Sequence, residues 1–509
     1  MNETFDVVVA GAGPIGLMLA CELGLAGVHV LVVERLDEID QTLKAAGINV
    51  PTAQAFYRRG LLPELIADQE RARERMGLFV RDRTESARTE RPKPVFAGHF
   101  AGVMLDVGVV DFGNPAFADL GPAGEVFLVP QQYIEATLGR RAAELGVTVR
   151  RGVELADFTD DGDGVTIRLG DNTIRAGWLI GCDGGRSTVR KLTGFDFPGV
   201  DPELTGHQAI VEMTGAEALT PGWATTETGM YVYNPPTGRI LTVEMDGPPA
   251  DRDARITIAE LQASLRAVSG VPVEITAVRS ATRFTDNTRQ VTEYRKGRVL
   301  LAGDAAHVHS PFGGQGLNLG VGDAVNLGWK LAAVVHGRAQ LGLLDTYTTE
   351  RHPIGAWVLE WTRAQVALMR TDQRSRALRA VLTELLGARE AATTVFQKIS
   401  GVLHRYDLGG GHERAGAAVP DFELSDGTRI GNHFEGGGAV LFDLADSAKL
   451  RAVAARWAPE VRVVTAKTVK PGALTAMLVR PDGFVAWAAD SGSRDGLEAA
   501  LVRWFGAAA

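Results

Sequence analysis

The chain opens with a β-branched run, Phe5-Asp6-Val7-Val8-Val9-Ala10, followed by Gly11, Gly13 and Gly16 and then an apolar stretch over residues 17–25. A short apolar run bounded by glycine predicts a buried strand, and the longer stretch behind it predicts a helix. Residues 29–33 form a second strand-like run ending at Glu34, and a further helix starts near Thr52. Residues 68–94 mix acids and arginines with few apolar positions. They read as an exposed excursion, and the interspersed signs make it solvated surface. Pro130-Gln131-Gln132-Tyr133 opens an amphipathic helix carrying Ile134, Leu138 and Leu145 on one side. Residues 147–150, 165–169 and 178–181 are strand-like, with Gly170-Asp171-Asn172 as a turn.

The pattern changes over residues 195–285. Short β-type runs (208–213, 230–233, 240–245 and 274–278) alternate with turn signals around one helix near 256–268. That predicts a largely antiparallel sheet, laid as a separate layer over the first unit. Residues 298–302 return as a buried strand leading into Gly303-Asp304. Helical patterns then occupy 316–335, 341–369 and 376–403, and Gly409-Gly410-Gly411 reads as a linker. The remainder, 417–509, predicts a smaller α/β unit with strands near 439–444, 462–465 and 476–480. The last of these is followed by a Pro481-Asp482-Gly483 turn.

A length of 509 residues suggests two to four domains, and 45% hydrophobic with 23% charged residues marks a folded protein. The net charge of -9, from 62 acids against 53 bases, argues against a nucleic-acid partner. The two cysteines, Cys21 in the first helix and Cys182 at a strand end, read as core fillers and not as a disulfide or metal site. The N-terminal Asn2, Glu3 and Asp6 do not resemble a signal peptide, and the apolar runs 17–21 and 28–33 are too short for a membrane span. The expectation is a cytoplasmic protein without a membrane partner.

Strand, glycine turn and helix follow one another as dinucleotide binding requires. Gly11 permits the turn, Gly13 lets a pyrophosphate approach the backbone, and Gly16 lets the helix pack against the strand. Glu34, 18 residues after Gly16, stands where a carboxylate accepts ribose hydroxyls. Far downstream, Asp304 sits between a buried strand and the glycine-rich turn Pro311-Phe312-Gly313-Gly314-Gln315-Gly316. A carboxylate there can hold a ribityl chain. The helix start at Gly316, Leu317 and Asn318 offers N–H groups to the anionic edge of a reduced ring. Two such anchors so far apart in sequence point to FAD.

Gly11–Gly16, the run Gly181-Cys182-Asp183-Gly184-Gly185-Arg186-Ser187-Thr188-Val189-Arg190-Lys191, and residues 303–318 together resemble the FAD-dependent aromatic hydroxylases, class A flavoprotein monooxygenases. The nearest likeness is to the aromatic polyketide hydroxylases of antibiotic biosynthesis. Arg283-Phe284-Thr285-Asp286-Asn287 strengthens it, as does residues 300–307. The resemblance spans roughly residues 1–400. It implies an α/β fold: a Rossmann-like FAD-binding domain, an inserted antiparallel-sheet substrate domain and a C-terminal thioredoxin-like domain. The corresponding boundaries are 1–75 with 105–190 and 285–335, then 76–104 with 191–284 and 336–405, then 417–509. The last segment contains no cysteine, so it carries no thiol redox chemistry.

The resemblance further implies FAD contacts from Pro14, Ile15, Arg35, Lys44, Gln131, Pro311 and Gly314, besides the residues above. It places Asp183-Gly184 against both FAD and the nicotinamide donor. Relatives usually carry arginine where this chain has Lys44, and another basic residue where it has Pro51; a lysine supplies charge but no bidentate fork. Either Gln131 or Gln132 points toward the flavin. The implied reaction is reduction of FAD by NADPH or NADH, then reaction with O₂ to a flavin C4a-hydroperoxide that hydroxylates a polycyclic phenol or quinone. No side chain is required as a general base and none is assigned. His307 and His309 read as structural residues, and no third ligand suggests a metal site. Phe312 and Pro311 are expected in the substrate pocket wall. Trp223, Tyr231 and Tyr233 either line a flat aromatic site or fill ordinary core. Baeyer–Villiger insertion stays open beside hydroxylation. A non-catalytic flavin or pigment carrier is disfavoured by the intact Asp183-Gly184 pair, and halogenation by the absence of a Trp-x-Trp-x-Ile-Pro motif.

Overall fold

The computed structural model describes residues 3–75, 96–252, 254–409, 411–469, 472–490 and 492–508. The inner strands of its largest sheet are the buried β-branched runs. The parallel strands lie in the order Val299–Leu301, Asn172–Gly181, Thr4–Ala10, Val30–Glu34 and Thr148–Arg151, with Arg295–Lys296 antiparallel at the first edge. The first strand is central: Val8 is registered with Leu179 on one side and Leu31 on the other. The chain leaves Thr4–Ala10 toward Val30–Glu34, and its neighbour Asn172–Gly181 has Val299–Leu301 on the other side, so a crevice opens at the carboxyl ends of these two central strands. Antiparallel strands Leu155–Asp160 and Val165–Leu169 extend the sheet from Asn172–Gly181.

Helix Pro14–Leu25 follows the first strand and packs beside helix Gly316–Val335. Small residues set that approach. A Cβ on Gly320 would fall 2.4 Å from the Ile15 side chain, and one on Gly328 2.5 Å from Glu22.

The second sheet is antiparallel throughout, in the order Gly222–Thr225, Gly229–Asn234, Arg239–Glu244, Thr205–Thr214 and Glu274–Phe284. Helix Ile258–Ser269 covers one face through Leu261, Leu265 and Val268, packed on Ala209, Val211, Tyr231 and Ile240. The other face turns toward the crevice. Helices Gly342–Met369, Gln373–Leu385 and Arg389–Ser400 follow. The C-terminal sheet runs Val461–Thr465, Ala439–Asp443, Ala476–Val479 and Val485–Ala489 and carries helices Ala448–Ala454 and Leu497–Phe505. It is pinned to the rest by Arg480, whose guanidinium bonds Glu350 at 2.9 and 2.8 Å, and by Arg59, which bonds Glu22, the Phe434 carbonyl and the Pro481 carbonyl.

Several expectations need correction. Residues 68–75 belong to helix Leu62–Arg75; Asp68 is buried there and accepts the Thr137 hydroxyl at 2.8 Å. The rest of that predicted excursion, 76–94, lies outside the described residues. Strands Leu155–Asp160, Gly222–Thr225 and Val485–Ala489 were not foreseen, and the helical pattern over 376–403 is broken at Gly387. Among the described residues no helix is long and apolar enough to cross a membrane.

Candidate functional site

A cavity of about 2420 Å³ opens at the carboxyl end of the central strand and reaches the bare face of the second sheet. The glycine turn forms one end. Gly11 has φ +107°, and a Cβ there would lie 2.4 Å from the Cys182 carbonyl oxygen; a Cβ on Gly16 would lie 2.0 Å from the Gly11 carbonyl oxygen. Both glycines are thus required by the protein itself. Gly13 is different: a Cβ there would meet nothing within 4 Å, because the position faces open cavity. Gly13 is the N-cap of helix Pro14–Leu25, which has no side-chain cap, so the first-turn N–H groups remain available to an anion.

Glu34 is fixed beside this turn. Its Oε2 accepts the Ala12 N–H at 2.9 Å and its Oε1 the Leu36 N–H at 3.0 Å, leaving lone pairs for hydroxyls. Arg35 and Lys44 are exposed on the cavity rim, and Lys44 is paired with Asp40 at 2.9 Å. Gln131 lines the cavity and donates to Glu135 at 2.7 Å, whereas Gln132 is not among the lining residues. Burial raises the Glu135 carboxyl above its ordinary range, although the Gln131 bond opposes the shift.

Asp183 and Gly184 border the same space. Asp183 Oδ2 accepts the N–H groups of Thr188 and Val189 at 2.7 and 3.1 Å, which holds the start of helix Thr188–Thr193. Its Oδ1 is buried without a partner, and burial raises its pKa. Asp304 projects into the cavity from the turn Gly303–Ala305, where Gly303 has φ +62° against Ile15.

Beneath that turn lies a buried cluster. His307 Nε2 bonds Asp323 Oδ2 at 2.6 Å, Gly303 N–H donates to the same oxygen at 3.1 Å, and Arg351 Nε donates to Oδ1 at 2.8 Å. Burial pushes the Asp323 carboxyl up, but His307 and Arg351 outweigh it and hold the pKa below the ordinary value. His307 is a fully buried strut of the turn. His309 bonds the Ser310 carbonyl through Nδ1 at 2.7 Å, and burial keeps its pKa low. Among the described residues no group of His, Cys, Asp and Glu could hold a metal ion.

Pro311, Gly314, Gly316, Leu317 and Asn318 complete this end of the cavity. Helix Gly316–Val335 has no side-chain cap, so its first N–H groups are also open. The Asn318 side chain has a clamping role that the sequence did not suggest: its Nδ2 donates to the Gly47 and Gly314 carbonyls, both at 2.9 Å.

The far wall is a single rung of the second sheet. Trp223, Val232, Leu241, Gln208 and Thr282 are directly paired across five strands, and all line the cavity. Phe312 closes it edge-on, 6.3 Å from the Trp223 ring and 5.9 Å from Phe284. The His99 ring lies tilted against Trp223 at 4.7 Å; burial, with Arg379 nearby, lowers its pKa to about 4. Of the predicted wall residues, Pro311, Phe312 and Trp223 border the cavity. Tyr231 and Tyr233 do not: strand alternation turns them to the opposite face, against helix Ile258–Ser269, where they fill core. His99, Gln208, Arg239 and Phe284 were not foreseen, since an isolated polar or aromatic residue in a strand carries no pattern.

These residues suit FAD. Two uncapped helix starts, the anchored Glu34 carboxylate, the exposed Asp304 carboxylate and the Asp183-Gly184 turn border one elongated space. A profile described as "FAD binding domain" matches residues 4–362, and one described as "Aromatic-ring hydroxylase, C-terminal" matches 412–508. The chain is 40% identical to the 12-dehydrotetracycline 5-monooxygenase/anhydrotetracycline 6-monooxygenase of Streptomyces rimosus, over 99% of each chain. It is 39% identical to the dialkyldecalin synthase of Streptomyces rugosporus, over the whole of both. The structure of the OxyS anhydrotetracycline hydroxylase from Streptomyces rimosus superposes with a TM-score of 0.87 at 38% identity, covering 99% of this chain and 100% of that one. The chain belongs to the FAD-dependent aromatic-ring hydroxylase family of monooxygenases.

Proposed function

We propose that the protein uses NADPH or NADH and O₂ to hydroxylate a polycyclic aromatic substrate of the polyketide type. The observation that carries this reading is one continuous cavity bordered by Gly13, Asp304 and the Trp223–Phe312 corner. In it, the Gly13 turn and the helix start at Pro14 hold the FAD pyrophosphate, and Glu34 the adenosine ribose. Asp304 holds the ribityl chain, and the N–H groups at Gly316, Leu317 and Asn318 hold the ring edge. Bound there, FAD supplies hydride acceptance and oxygen activation.

The protein's own task is positioning. The Trp223, Val232 and Leu241 side chains present a flat apolar face to a planar ring. The buried Phe312 and the half-buried Phe284, packed edge to face, exclude water from that end. Asp183 and Gly184 border the space that the nicotinamide donor visits. Residues 1–75, 105–190 and 285–335 serve as the FAD-binding unit, 76–104, 191–284 and 336–405 as the substrate unit, and 417–509 as the thioredoxin-like unit.

Purified protein should carry flavin, and a polycyclic phenol should accelerate its reduction by NADPH. Turnover under ¹⁸O₂ should place one labelled oxygen on the ring. A labelled ester would assign Baeyer–Villiger insertion instead. The likeness to a dialkyldecalin synthase supports a second reading, ring closure without oxygen transfer. Product formation without NADPH consumption or label would select it.

A further inference from the structure

We propose that Arg239 binds an ionised oxygen acid on the substrate, either a carboxylate or an ionised phenol or enol; the inference rests on the aromatic-substrate reading above. Arg239 lies two positions before Leu241 in strand Arg239–Glu244, so both side chains share the face turned to the cavity, and both line it. Its cross-strand partners are Ile210 and Asn234, neither of which is charged. Its Nε is buried with no hydrogen-bond partner, and its guanidinium forms no ion pair among the described residues. Burial lowers its pKa, with no neighbouring carboxylate to oppose the shift.

The same sheet shows what a structural arginine looks like. Arg283, on the opposite face, donates to Glu260 at 2.8 Å through Nε and to the Arg252 and Ala254 carbonyls. Arg239 has no such partner. A guanidinium keeps its charge at neutral pH, and this half-buried one borders the cavity with no protein acceptor, so a ligand oxygen is left to supply one. The setting also fits. Trp223, Val232 and Leu241 stack the apolar ring while the planar fork beside them takes an acidic oxygen pair. Arg239 is thereby a specificity-determining residue and takes no part in bond making.

The test titrates holoenzyme with three probes, followed by tryptophan fluorescence: anthraquinone-2-carboxylate, 2-hydroxyanthraquinone above its ionisation pH, and uncharged anthraquinone-2-carboxamide. At least one acid should bind about tenfold or more tightly than the amide. Arg239→Gln should abolish that preference and Arg239→Lys restore part of it, with flavin content unchanged in both variants. The acid whose preference disappears identifies the carboxylate or the phenolate as the source. Equal binding of acids and amide, absence of binding by all three, or a preference surviving in Arg239→Gln would overturn the proposal. So would a raised KM for NADPH with the acid preference intact, since that assigns Arg239 to the reductant. Flavin content of the wild-type protein is a separate measurement, and its failure would remove the oxygenase reading without deciding the role of Arg239.

Discussion

The side-chain amide of Asn318 joins two stretches 269 positions apart, its Oδ1 accepting the backbone N–H of Asn49 at 2.9 Å. Asn49 in turn caps helix Val50–Arg58 by accepting the Thr52 N–H at 3.1 Å. With Nδ2 bonded to two carbonyls, Asn318 fastens the 47–49 segment to the downstream glycine loop. Asn318→Ala strips partners from three backbone groups at once, which costs about 2–4 kcal/mol. A lower melting temperature and faster flavin loss should be seen together.

Gly13 and Gly16 should separate stability from cofactor binding. Gly16→Ala drives a Cβ into the Gly11 carbonyl and should destabilise even the flavin-free protein by about 1–3 kcal/mol. Gly13→Ala meets no protein atom, so flavin-free stability should change by less than about 0.5 kcal/mol. Its flavin affinity should nonetheless fall by about tenfold or more if, as proposed, the methyl group stands in the pyrophosphate approach. Denaturation of both apoproteins, with flavin titration, checks the contrast.

Glu350 predicts an acid-side loss of stability. Burial would raise its carboxyl, but Arg480 and Lys330 outweigh burial and lower the pKa to about 2. A carboxyl depressed in the folded state contributes stability that is complete above its unfolded pKa of about 4.3 and disappears as pH falls toward 2. The contribution is about 3 kcal/mol. Glu350→Gln should remove this pH dependence and, by leaving Arg480 and Lys330 buried without a carboxylate partner on that helix, cost about 3–5 kcal/mol at neutral pH. Urea denaturation between pH 3 and pH 7 would show parallel profiles for the two proteins if this account is wrong.

Trp223 and Tyr231 should respond oppositely. The Tyr231 hydroxyl accepts the Thr220 N–H at 3.1 Å on the core side of the sheet. Tyr231→Phe should therefore cost about 1 kcal/mol of stability and leave ligand binding alone. Trp223→Leu removes an aromatic face from the cavity wall and should weaken a polycyclic probe by about tenfold. Equal probe affinity in Trp223→Leu and wild type would contradict the assigned wall.

The turn over residues 11–16 was legible in the sequence because backbone geometry admits only glycine at two of its positions. At Gly11 and Gly16 any side chain collides with a carbonyl, so the requirement is written as glycine. The aromatic wall was only half legible. Period-two alternation separates Tyr231 and Tyr233 from Val232, but it does not say which set faces a ligand. That depends on the pairing of Val232 with Trp223 and on which face helix Ile258–Ser269 covers. Helix Leu62–Arg75 was missed for a related reason: its polar face hides a buried carboxylate, Asp68, whose partner Thr137 is 69 positions away. Arg239 looked like any strand arginine, since the absence of a partner is a tertiary fact.

Because the wall is one hydrogen-bonded rung, its five side chains come from five separate strands and none is needed for backbone pairing. Substituting one of them leaves the strand register intact, so the face of the cavity can be altered one side chain at a time. Point substitution on this rung is thereby enough to reshape the wall, with no loop insertion and no new domain.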